Sequence, residues 1–169
     1  MVADTPHETT DTEVARAYAA AAAVLDPEIP VLNLVDLGVL RGVERRGGSI
    51  VVTLSPTYTG CPATAAIQLA IACALIDAGI AGARTELVLS PAWSTDDITA
   101  AGRAKLMAYG IAPPGKGSPA MLFADEHVTC PRCGSGQTSR ISQFGSTPCK
   151  AQWRCDRCRE PFDYFKCHR

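Results

Sequence analysis

Apolar residues recur with a helical period at Val14, Ala17, Tyr18, Ala21, Val24 and Leu25. They predict a first helix that opens at a Thr10/Glu13 capping box and stops before Pro27. The segment DPEIPVLNLVDLG (26–38) carries Pro27 and Pro30, which favour extended backbone in its first half. Two strands are expected at 39–46 and 49–55, the second rich in β-branched residues, with the hairpin signal Gly47-Gly48 between them. After a loop from Pro56 to Pro62, the run Ala63–Ala78 reads as a helix closed by Gly79. Ala66, Ile67, Ala70, Ile71, Ala74 and Leu75 give it one apolar face. Leu69 and Ile76 are apolar elsewhere, so the helix is expected to be mostly buried, with Cys73 in the core. Thr85–Leu89 reads as a third strand, and Ser94–Tyr109 as a last helix stopped by Gly110.

A helix between the second and third strands implies a right-handed parallel crossover. The expected fold class is therefore α/β (α+β), a small mixed three-stranded sheet with helices packed on it. Residues 1–10 are polar and expected to be a disordered tail, 11–111 the α/β domain, and the Pro- and Gly-rich 112–127 a linker. Residues 128–169 form a second module of different composition.

That difference is marked in charge and cysteine content. Residues 1–129 carry eight Lys/Arg against fourteen Asp/Glu, and residues 130–169 carry eight against three. Six of the eight cysteines lie in the last 40 residues. The longest apolar stretch, Ala63–Ile76, is interrupted by Thr64 and Gln68 and falls short of the ~18 residues a spanning helix needs, so no membrane partner is expected. No basic residue precedes Arg16, which argues against a secretory leader and for a cytoplasmic location. In a reducing compartment, clustered cysteines read as metal ligands before disulfides.

Cys130-Pro131-Arg132-Cys133 and Cys155-Asp156-Arg157-Cys158 are two C-x-x-C pairs separated by 21 residues, close to the spacing of a zinc ribbon. A module of this size cannot bury enough surface to fold alone, so a structural ion on Cys130, Cys133, Cys155 and Cys158 supplies the missing stability. Zinc is favoured, although tetrahedral thiolates also suit iron. Gly134 follows the first pair and suits the turn, whereas Arg159 stands at the matching place after the second. Cys149 and Cys167 are secondary thiols, with His168 nearby. Cys167 is expected to be buried among Phe162, Tyr164 and Phe165, and Cys149 exposed in a turn. Arg132, Arg140, Lys150, Arg154, Arg157 and Arg159, with Trp153, would suit nucleic acid, but a solvated basic face is the stronger account, and nucleic acid is not an expected partner.

Cys61 lies in Thr57-Tyr58-Thr59-Gly60-Cys61-Pro62, at the N-terminus of the second helix, where free N–H groups and the helix dipole favour a thiolate. A small apolar cap residue is the competing reading. His7, His127 and His168 are not placed by sequence to act as its base. The chain has no Glu-x-x-His di-iron pair, dinucleotide fingerprint or phosphate loop, so no catalytic constellation is complete and an enzyme is not expected.

DPEIPVLNLVDLG, the Tyr58–Pro62 loop and the apolar helix after it resemble the small α/β domain of SufT-type iron–sulfur maturation factors. FGSTPCKAQWRCDRCREPFDYFKC (144–167) and the Cys130/Cys133 knuckle resemble the PaaD (PaaJ) family of bacterial phenylacetate degradation. Asp97 departs from this pattern, in which a large aromatic is expected. The resemblance covers residues 12–169. It implies an accessory factor for iron–sulfur cluster assembly in the phenylacetyl-CoA epoxidase system, with Cys61 as the functional thiol and a transient iron or iron–sulfur cluster as cargo. Asp26, Glu28 and Asp36 match an acidic signature of that family, and turn capping is an equal account of them. The implied partners are the epoxidase reductase, with its 2Fe–2S cluster, or the oxygenase components, and the assembly machinery; a homodimer stays open. The alternatives are an integral non-catalytic subunit of the epoxidase and a nucleic-acid-binding ribbon protein.

Overall fold

The computed structural model describes residues 6–58, 60–115 and 128–166, with the side chains of 6–11 excepted. By its contacts the chain divides into two compact units, Met1–Trp93 and Ser94–Arg169.

In the first unit, α1 (Pro6–Ala23) begins ahead of the Thr10 cap read from sequence and takes in residues 6–10 of the expected tail. β1 (Leu40–Arg46) and β2 (Ser49–Leu54) form the antiparallel hairpin. Its two-residue turn works because both glycines adopt positive φ, 58° at Gly47 and 82° at Gly48, matching the strands' twist. After α2 (Ala63–Asp77) the chain crosses over to β3 (Arg84–Leu87), which pairs parallel with β2 in the order β1-β2-β3. The mixed three-stranded sheet is thus as expected. Ile50, Val51, Val52 and Leu54 of the central strand are all buried, joined in the core by Ala17, Ala21, Ile29, Leu32 and Leu34.

α2 departs from expectation. Only Ala63, Ile67, Ile71 and Leu75, one residue per turn, are buried. Leu69 and Ile76 remain 66% and 69% exposed, and Cys73 is exposed rather than in the core. The helix is apolar all round, so periodicity could not say which face turns inward.

In the second unit, the single helix expected over 94–109 is broken. Thr95–Asp97 is a 3-10 turn, capped by reciprocal bonds between Ser94 and Asp97, and Ile98 is extended (φ −65°, ψ 122°). Thr99 then caps α3 (Ala100–Tyr109) by accepting from the Gly102 N–H, and Gly110 closes it. The departure at Asp97 therefore has a local role. Its carboxylate accepts the Ser94 N–H at 2.8 Å. Arg103, largely buried, donates to the carbonyls of Thr95 and Pro114 and so ties this turn to the chain after α3.

β4 (Ile111–Ala112) does not end in a free linker: it pairs parallel with β7 (Pro161–Phe165). β5 (Thr138–Ser142) and β6 (Lys150–Cys155) complete a four-stranded sheet in the order β4-β7-β6-β5. Ala112, Val128, Ala151, Trp153, Phe162 and Tyr164 make its core, with Cys130 and Cys155 among them. Residues 116–127, most of the expected linker, lie outside the described residues. Among the described residues no helix is long and apolar enough to cross a membrane.

Candidate functional site

Two knuckles in the second unit are built alike. In the first, the Gly134 N–H donates to the Cys130 carbonyl at 2.9 Å and the Cys130 N–H to Ser135. In the second, the Arg159 N–H donates to the Cys155 carbonyl at 2.9 Å and the Cys155 N–H to Glu160. The turn requires a left-handed residue, which Gly134 supplies at φ 70° and Arg159, at more cost, at φ 67°.

The result is that the four sulfurs of Cys130, Cys133, Cys155 and Cys158 lie within 4.8 Å of one another. Cys130 and Cys158 are 3.8 Å apart and Cys133 and Cys155 3.5 Å. A tetrahedral ion with ~2.3 Å bonds to sulfur sets its ligands about 3.8 Å apart, so the donor set fits a metal ion. Without one the thiols do not share charge easily. The Cys158 N–H, the Arg157 N–H and the neighbouring thiols hold Cys155 down to about 6 against burial. At Cys158 the Glu160 N–H favours the thiolate, but burial and the three other thiols outweigh it and push it up to about 12. A divalent cation removes that conflict.

The other thiols of the module divide. Cys149 is buried, not exposed, with its sulfur 3.0 Å from the Thr147 hydroxyl. Cys167 and His168 lie outside the described residues. Phe162, Tyr164 and Phe165 are buried, as expected of the ribbon's small core. The basic face is thinner than the sequence suggests. Lys150 is buried beside Asp163 at 3.7 Å, Arg132 and Arg154 each stand near a carboxylate, and Trp153 is buried edge-on against Tyr164. Trp153 is therefore not presented for stacking on a base.

The thiol of the first unit has a different setting. Gly60, at φ 85°, bends the loop so that the Cys61 N–H donates to the Tyr58 carbonyl at 3.2 Å and the Cys61 carbonyl accepts from Thr64. Pro62, at φ −65°, leads straight into α2. Cys61 is half-buried at a small, partly open pocket that is lined chiefly by apolar side chains, among them Leu37, Val39, Leu54, Ile67 and Leu87, together with Asp26. No histidine stands in that lining.

The three acidic residues singled out by sequence are not gathered there. Asp26 lines the pocket, and its Oδ1 accepts the N–H groups of Glu28 (2.9 Å) and Ile29 (2.8 Å), fixing the DPEIP turn. Asp36 exchanges bonds with Asn33, its own N–H donating to the Asn33 side chain at 2.7 Å. Glu28 is half-buried and is not part of the lining. Trp93 lies in the stretch Leu89–Trp93, which fits the family resemblance but gains no role from sequence. It is buried and donates from Nε1 to the Leu37 carbonyl at 2.8 Å, bracing a residue of the pocket wall.

Comparison with known proteins agrees with this division. Residues 15–86 match the family model of an iron-sulfur cluster assembly protein, and residues 115–166 that of the PaaD zinc beta ribbon domain. The chain is 47% identical over 155 residues to an Escherichia coli (strain K12) protein named as one of the subunits of a "Putative 1,2-phenylacetyl-CoA epoxidase", covering 92% of this chain and 93% of that one. Among solved structures, a domain of unknown function (DUF59) from Bacillus anthracis aligns with a TM-score of 0.52 at 24% identity, over 58% of this chain and 94% of that chain, and shows the same fold. A Mycobacterium tuberculosis protein associated with Fe-S complex assembly and repair aligns at 30% identity over 64% of this chain and 96% of that chain, with a TM-score of 0.36. An assembly-type α/β fold joined to a four-thiol ribbon, with close identity to the Escherichia coli protein along almost the whole length, places this chain in the PaaD family.

Proposed function

We propose that the protein is a non-catalytic accessory factor that installs or maintains the iron–sulfur cluster of the phenylacetyl-CoA epoxidase system, its client being the reductase component that carries a 2Fe–2S cluster. The observation that carries this reading is Cys61. It is a half-buried thiol at the head of α2, beside an apolar pocket, in the part of the chain that matches an iron-sulfur cluster assembly protein. One accessible thiolate gives weak, exchangeable ligation, suited to iron or a cluster in transit, whereas four thiols closed around one ion hold it. The ribbon's ion is zinc, structural in role, and the ribbon's part is to dock the client. Asp26 supports the site by fixing the turn that walls the pocket.

The test is made in cells. A strain carrying Cys61→Ser should accumulate reductase at normal abundance but with low 2Fe–2S content, and should grow poorly on phenylacetate. Fully loaded reductase in that strain would refute the role given to Cys61. The name of the Escherichia coli relative favours a second reading, in which the protein works within the epoxidase itself. Stoichiometric co-purification with active oxygenase would support it.

A further inference from the structure

Independently of that function, the outward face of α2 carries a pattern that burial within this chain does not use. The solvent side of the helix presents Ala66, Leu69, Cys73 and Ile76, spaced three, four and three residues apart, flanked by Ala65, Ala70 and Ala72. This is the alternation of a coiled-coil seam, which keeps one stripe facing a second helix. From Ala63 to Ile76 the helix holds no charged residue. Leu69 and Ile76 are among the most exposed large apolar side chains described, at 66% and 69%.

We propose that this face docks against α2 of a second copy of the chain, forming an antiparallel two-fold dimer. Three features select that occupant. An uncharged stripe meets its own copy without like-charge repulsion, as an isologous interface requires. Large and small side chains are distributed so that the stripe fits itself when reversed: Leu69 falls opposite Cys73 of the second copy and Ile76 opposite Ala66, each large group meeting a small one. Asp77, the first charge after the stripe, then falls beside Ala65 in the first turn of the other helix, where the dipole is positive. A parallel pairing would instead set the two Asp77 carboxylates side by side.

The size of the face fixes the strength. Fifteen residues make a helix about 22 Å long, so the patch offers a few hundred Å², well under the ~800 Å² per partner of a standard stable interface. The dimer is therefore weak and reversible.

Sedimentation velocity of the metal-loaded full chain over rising concentration tests this. The wild type should pass from monomer to dimer, and Leu69→Glu should remain monomeric throughout. Ile141→Glu, which alters an apolar residue of similar exposure in the other unit, should dimerise as the wild type does. Ala66→Lys should also remain monomeric, and it serves in place of Leu69→Glu should that variant lose its native circular dichroism or metal content. Alkylation of Cys73 should slow as wild-type concentration rises and stay constant in the monomeric variant. A wild type that stays monomeric at every concentration overturns the proposal, as does a Leu69→Glu or Ala66→Lys variant that folds and still dimerises. A monomeric wild type that retains the reductase on a column, where Leu69→Glu does not, also overturns it and gives the face to that protein.

Discussion

Arg159 holds φ 67° where its counterpart in the first knuckle is Gly134 at φ 70°. A side chain in the left-handed region costs about 1 kcal/mol or more, so Arg159→Gly should raise the ribbon's stability by roughly 1 kcal/mol with metal content unchanged. Chelator-challenge or thermal unfolding curves would show the gain. An unchanged or lowered midpoint would mean that the guanidinium contributes a contact worth more than the strain. Asp26 offers a second test at this scale. Asp26→Ala leaves the Glu28 and Ile29 N–H groups without their carboxylate acceptor and should destabilise the first unit by about 2 kcal/mol. Asp26→Asn keeps an oxygen in place and should cost much less in denaturant unfolding; equal losses would show that the charge itself is required. The role of Asp26 in its turn was legible in the sequence because an Asp before Pro bonds to backbone only a few residues away. The exposure of Cys73 and burial of Cys149 were not, because each depends on what packs against the residue from elsewhere in the chain.

Among the elements, the hairpin was readable from Gly47-Gly48 and the strands beside it, and α2 from its length, its closing glycine and its leading proline. All of these are local signals. The break at Ile98 was not readable, since Thr95–Asp97 suits a helical start and only the separate cap at Thr99 reveals two elements. The pairing of β4 with β7 joins residues about fifty positions apart, beyond any periodicity. It makes a prediction about metal removal. Stripping the ion should release the amides of β6 and β7 to hydrogen exchange and free Ile111 and Ala112 with them, while β2, buried in its own sheet, stays protected. Continued protection of residues 111–112 in metal-free protein would show that β4 does not depend on the ribbon. Loading also has a proton count with a definite sign. At neutral pH Cys155, at about 6, has already lost its proton, whereas Cys158, at about 12, must give one up to bind. Metal binding should therefore release protons, though fewer than four, and weaken as pH falls because protons compete for sulfur. Calorimetry in buffers of different ionisation enthalpy measures the release, and a count of zero or four would contradict this order.

For the whole molecule, the division of charge and cysteine content near residue 130 sets a ribbon of net positive charge after an acidic segment, which the overall charge of −1 conceals. Epoxidation of a coenzyme A thioester requires dioxygen activation, electron delivery and a thioester site. Among the described residues the only cluster that could hold a metal is the four-thiol site, which leaves no open coordination position. The pocket at Cys61 is lined chiefly by apolar side chains together with Asp26. On the accessory reading proposed above, the protein acts on its client's metal before turnover rather than on the substrate during it. Oxygenase and reductase purified with their metal and clusters intact should then epoxidise phenylacetyl-CoA at full rate with this protein left out. The same mixture made with cluster-free reductase should stay inactive until this protein, iron and a sulfide source are supplied, and Cys61→Ser should fail to restore it. Should the loaded components be inactive until the protein is added, with their clusters shown intact beforehand by absorbance and iron content, the protein belongs to the epoxidase itself and the accessory reading falls.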